Sequence, residues 1–116
     1  LNEALHEAVA DSFNMLSVDG DTSTNDMLSI IANGMANNKE INDVNSNEYK
    51  LFIEALKYIC VELTKKMAKD GEGASKLLIV KTINASSLEQ ASIIAKSVCE
   101  SNLLKAARYI DAIHGR

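Results

Sequence analysis

An α+β fold, its helices packed on a sheet that segments outside this chain complete, is predicted by three features of the 116-residue sequence. Apolar residues recur at i, i+3, i+4 and i+7 in several runs, the spacing of amphipathic helices. Only two short runs, residues 13–18 and 76–84, read as strands. Two strands cannot bury the apolar faces of that many helices, because a stable sheet needs three or more. The 47% apolar and 24% charged content is ordinary for a globular protein. The length suits one domain or a piece of one, and residues 1–116 are read as a single fragment. The first residue is Leu rather than Met, so a processed product, a fragment or the ordered part of something longer is expected.

The elements follow in order. Leu1, Leu5, Ala8, Val9 and Phe13 recur at helical spacing between Asn2, Glu3, Glu7 and Asp11, which predicts an entering amphipathic helix. "FNMLSV", residues 13–18, reads as a short strand that ends at Asp19-Gly20. Residues 24–33 read as a second helix carrying Met27, Leu28, Ile30 and Ile31, stopped by Asn33-Gly34. "ANNKEINDVNSN", residues 36–47, is polar and reads as a surface loop. A long helix then runs to residue 69, with Tyr49, Phe52, Ile53, Leu56, Ile59, Cys60, Leu63 and Met67 on its apolar face. Ser46 caps its start, and Lys65, Lys66 and Lys69 suit the negative end of its dipole. "KLLIVKTIN", residues 76–84, has a continuous apolar centre, the pattern of a strand covered on both faces. Ser87 caps a helix that faces Leu88, Ala91, Ile94, Ala95, Val98 and Cys99 inward. The final segment "LLKAARYIDAIHGR" fits a helix or a strand.

Composition excludes several classes. The net charge of −4 and the lack of a basic block argue against nucleic acid as a partner. No apolar run has the length of a membrane span, and no signal peptide is visible, so no membrane is expected and the cytoplasm is the expected compartment. Cys60 and Cys99 both fall on apolar helix faces and read as buried thiols in a reducing compartment. His6 and His114 lie at opposite ends without a neighbouring Cys at ligand spacing, and no metal site is assigned.

Two stretches do not look like packing. "SVDGDTSTND", residues 17–26, alternates Asp19, Asp21 and Ser23 as a calcium loop does, but Thr24 and Ile30 occupy the places of its required Gly and Glu. A strand followed by Asp-Gly-Asp-Thr also resembles the haloacid-dehalogenase phosphatase motif, with Asp19 as nucleophile and Asp21 as acid and base. The downstream Lys and acidic pair of that superfamily have no counterpart on loops after strands here. The simplest alternative is a helix start, with Ser23 and Asp26 as a capping box and Asp19 and Asp21 favoured by the dipole. A helix needs one cap, however, not Thr22, Ser23, Thr24 and Asn25 together. In the second stretch, "DGEGAS", residues 70–75, Gly71 and Gly73 flank Glu72 just past the long helix, where the dipole disfavours a carboxylate. Such a carboxylate suits a substrate ammonium group; a solvated loop with Gly as helix C-cap is the alternative.

Taken together, "SFNMLSVDGDTSTNDMLSIIANG" (residues 12–34) and "DGEGASKLLIV" (residues 70–80) closely resemble the two signature segments of the ornithine acetyltransferase family. "ASSLEQASIIAKSVCESNLLKAA", residues 85–107, is similar to the family's next helix and its S-x-L-V-K-T-A segment. The resemblance implies an αββα sandwich of the type shared with DmpA. It implies a bifunctional glutamate N-acetyltransferase of arginine biosynthesis, made as a precursor that cuts itself before a Thr. That Thr then accepts acetyl from N-acetylornithine and passes it to glutamate. On this resemblance the chain is the middle of the second, beta, chain. The nucleophile would lie outside it, so no catalytic residue is assigned here and the isolated piece would be inactive. Glu72 carries over as a substrate-binding residue, with Asp19, Asp21, Thr22 and Asn25 as candidates behind it. No cofactor is implied, although some members accept acetyl-CoA as donor. The implied partners are the alpha chain of the same precursor, further copies, and the small-molecule substrates N-acetylornithine and glutamate. The end departs from the family pattern. "KAARYIDAIHGR", residues 105–116, lacks the Gly and the Asn-Trp pair, and Arg108 replaces an apolar residue. A non-catalytic binding module that reuses the fold is the reading from a different class.

Overall fold

The computed structural model describes residues 1–21, 23–71 and 75–107. They contain three α-helices, α1 (Asn2–Ala10), α2 (Asn47–Lys69) and α3 (Leu88–Cys99), and a 3-10 turn at Phe13–Met15. Residues 102–107 are also helical. The chain divides into two compact units, Leu1–Leu16 with Thr22–Met67, and Ser17–Asp21 with Ala68–Arg116.

In the first unit α1 lies against α2. Ala4 and Ala8, one helical turn apart, are fully buried and meet Ile53, Leu56 and Cys60 of α2. Phe13, Leu28, Ile30, Tyr49 and Phe52 pack around this core. Buried Ser12 donates its hydroxyl to the Ala8 carbonyl at 2.6 Å, satisfying a backbone acceptor that α1 leaves open at its end. Lys57 of α2 reaches back to Glu7 at 2.9 Å and Asp11 at 2.8 Å on α1 and just beyond it. These two hydrogen-bonded carboxylates, Asp11 foremost, hold the Lys57 ammonium above its ordinary value. Ser46 caps α2, its Oγ accepting the Tyr49 N–H at 3.1 Å.

In the second unit residues 75–83, which form neither helix nor strand, lead to α3. Asn84 turns the chain with φ of 60°, a left-handed conformation that asparagine tolerates. Ser87 caps α3 by accepting the Gln90 N–H at 3.1 Å. The Gln90 side chain in turn accepts from the Ser86 N–H and hydroxyl. Thr82 donates to the Ala91 carbonyl, tying this segment to the helix.

Several expectations need correction. Residues 24–33 are not helical. Leu28 and Ile30 turn inward while Met27 and Ile31 stand 86% and 90% exposed, a period of two that belongs to extended backbone. Gly34, with φ of 71°, opens a turn in which Asn33 Oδ1 accepts the Met35 N–H, rather than ending a helix. Residues 13–18 are a 3-10 turn continued by extended backbone at Leu16, and residues 76–83 form no helix and join no ladder. No strand is present among the described residues. A strand exists through ladder hydrogen bonds to a neighbour, and none of the described segments supplies them. Ile79 and Ile83 are exposed, so the expected cover on both faces is missing here. The apolar face of α2 is buried only at Ile53, Leu56 and Cys60, while Ile59, Leu63 and Met67 are exposed. Leu88, Ile94 and Val98 of α3 are exposed as well, leaving Ala91, Ala95 and Cys99 half-buried. Both cysteines are free thiols, Cys60 buried and Cys99 only partly so.

Candidate functional site

The acidic stretch is built as a series of self-bonded turns. Gly20 has φ of 90°, a conformation open to glycine but strained for other residues. That geometry brings the Asp21 N–H to Asp19 Oδ1 at 2.9 Å, an Asx turn. Ser23 Oγ accepts the Asn25 N–H at 3.3 Å, and Thr24 donates to the Asn25 side-chain oxygen at 3.4 Å. Ser23 therefore caps no helix. The capping-box reading of Ser23 and Asp26 falls, because the hydroxyl is engaged in a local turn that competes with helix formation.

Asp19 and Asp21 share one turn of the second unit, and both are exposed. Asn25 is exposed in the first unit. Thr22 and Glu72 lie outside the described residues, as do residues 108–116, with Arg108 and His114 among them. Asp19 presents one carboxylate oxygen to the backbone two residues on, a poor arrangement for a nucleophile that must face phosphate and metal. No group of three or more His, Cys, Asp or Glu side chains suited to a metal occurs among the described residues. No helix among them is long and apolar enough to cross a membrane.

One residue beside this turn is missed by sequence reasoning. Lys105, in the helical stretch 102–107, donates from Nζ to the Val18 carbonyl at 2.9 Å, across 87 positions of chain. The helix start is organised by Ser101, whose Oγ accepts the Leu104 N–H at 3.3 Å. Nothing in "SNLLKAA" points to the contact, since its acceptor is a backbone carbonyl far away in sequence.

Comparison with known proteins gives this arrangement a family. The sequence matches the ArgJ family over residues 1–116. Arginine biosynthesis bifunctional protein ArgJ 1 of Clostridium acetobutylicum is 54% identical over all of this chain, which spans 28% of that protein. The ArgJ of Symbiobacterium thermophilum is 50% identical over all of this chain and 29% of its own length. The crystal structure of ArgJ from Bacillus halodurans superposes with a TM-score of 0.84 at 38% identity, covering 90% of this chain and 48% of that one. The chain thus spans little more than a quarter of the curated relatives it matches. The family to which the two signature segments pointed is the one found: the chain belongs to the ArgJ family.

Proposed function

We propose that this chain is part of an acetyltransferase of arginine biosynthesis that moves acetyl from N-acetylornithine to glutamate. The observation that carries the reading is the unbroken family match over residues 1–116, which includes both signature segments. In this reading a Thr hydroxyl outside the chain attacks the acetyl carbonyl. An ester forms on Thr, and ornithine leaves as the amine with the hydroxyl proton. The glutamate amine then attacks the ester and restores the hydroxyl, a double-displacement cycle. The chemistry needs no cofactor, and acetyl-CoA enters only as an alternative donor. Glu72 is the residue we assign to the substrate ammonium group, with Asp19, Asp21, Thr22 and Asn25 as further candidates.

We further place the chain in the middle of the beta chain of a self-cleaved precursor, paired with the alpha chain and further copies, in the cytoplasm. Chain lengths support the cleavage. The matched stretch fills 48% of the crystallised ArgJ chain but only 28% of the curated C. acetobutylicum relative, so the crystallised chain is the shorter of the two. Exposed apolar side chains support the incompleteness of the piece. Met27, Ile31, Ile79 and Ile83 are exposed on segments that form neither helix nor strand, and in the complete protein these pair into the sheet of an αββα sandwich. The isolated piece is inactive because it holds neither nucleophile nor oxyanion-binding groups. Membership in the ArgJ family and the self-bonded Asp19 both favour this reading over a phosphatase.

The test is Glu72→Gln in the complete protein. It removes the charge and keeps the shape, so KM for N-acetylornithine rises about tenfold or more, as expected for a lost charge-assisted contact. Self-cleavage is retained. Unchanged kinetics would remove Glu72 from the site.

A further inference from the structure

We propose that Lys105 is a positioning residue, holding the Val18–Asp21 turn in register for substrate binding; this rests on the acetyltransferase reading above. Three observations carry it. The turn belongs to the second compact unit although it lies far away in sequence from the rest of it. Lys105 Nζ donates to the Val18 carbonyl at 2.9 Å and so links the turn to the helical stretch 102–107. The helix start is itself fixed by Ser101, through its Oγ on Leu104 N–H and its carbonyl on Lys105 N–H. A lysine carries a flexible stem and loses rotamer freedom when held in one geometry, and here it closes a contact across 87 positions of chain. The acceptor is the residue immediately before Asp19, whose carboxylate closes the turn on the Asp21 N–H. Freeing the Val18 carbonyl therefore shifts both carboxylates together. Lys105 touches no reacting atom; it acts through the turn.

The experiment uses the complete self-cleaved protein with Lys105→Met, Lys105→Gln and Lys105→Arg. Amide hydrogen exchange at Asp19–Asp21 is measured beside steady-state kinetics with N-acetylornithine and glutamate. Lys105→Met, which keeps the stem and removes the donor, speeds exchange at Asp21 about tenfold and raises KM for N-acetylornithine about fivefold, with kcat held within about twofold. Lys105→Arg, which still donates, restores both to within about twofold of the original. Lys105→Gln, a shorter neutral donor, falls between and serves if the Met variant does not fold. Unchanged exchange in Lys105→Met and Lys105→Gln overturns the proposal. So does faster exchange with unchanged KM, which reduces the contact to stability alone. An original protein that transfers no acetyl group overturns the functional reading instead, and the exchange data still decide whether Lys105 holds the turn.

Discussion

Lys57 answers two acids at once, Glu7 and Asp11, and it clamps α1 to α2 at the rim of the Ala4/Ala8 contact. The three side chains are about one third to one half exposed, so solvent screens the clamp. Lys57→Met should lower the stability of the complete protein by about 1 kcal/mol or less, measured by denaturant unfolding. The sign of its pH dependence follows from the raised value of the lysine. The contribution is fully present below the ordinary 10.5 and is lost as pH rises through the higher folded value. The stability difference between the original protein and the Lys57→Met variant should therefore stay flat from neutral pH to about pH 10 and shrink above it. Site residues are legible to different degrees at this scale. The excess of hydroxyls in residues 22–25 marks the turn, but not its geometry, since Ser23 and Asp26 satisfy a helix-capping pattern equally well. Lys105 is illegible because its partner is a backbone carbonyl 87 positions away, and sequence spacing carries no information about such contacts.

Among the elements, α2 and α3 are the most legible, because long periodic runs with a Ser cap admit one reading. Leu56→Ala should test the α1–α2 contact: Leu56 lies at the boundary of full burial, and its loss should cost about 2–4 kcal/mol in thermal or denaturant unfolding of the complete protein. Ile59→Ala, on the exposed side of α2 in this chain, separates two cases. If the complete protein covers that side, the cost should approach that of Leu56→Ala; if not, it should stay under about 0.5 kcal/mol. The segment 24–33 misleads because Met27, Leu28, Ile30 and Ile31 fit both periods over so short a run. The alternation of Leu28 and Ile30 inward against Met27 and Ile31 outward resolves it as extended. Residues 76–84 carry the apolar run of a strand, but no described segment joins them in a ladder, and no strand forms without one.

At the scale of the whole molecule, several apolar side chains that the sequence places on inward faces are exposed, among them Ile59, Leu63 and Met67 of α2 and Leu88, Ile94 and Val98 of α3. Isolated exposed apolar residues are common, but continuous surfaces of them mark contact sites. The chain spans little more than a quarter of the length of its curated relatives, and the proposed sheet of the complete protein is what would cover these side chains. Local patterns identify the family because both signature segments lie within the chain, whereas no strand forms among the described residues. The most direct measurement is the intact mass of each polypeptide in the denatured native protein, before and after incubation with N-acetylornithine. The account predicts two chains from one precursor, the second beginning with Thr and gaining one acetyl group that glutamate then removes. A single uncleaved polypeptide that takes up no acetyl group would contradict it.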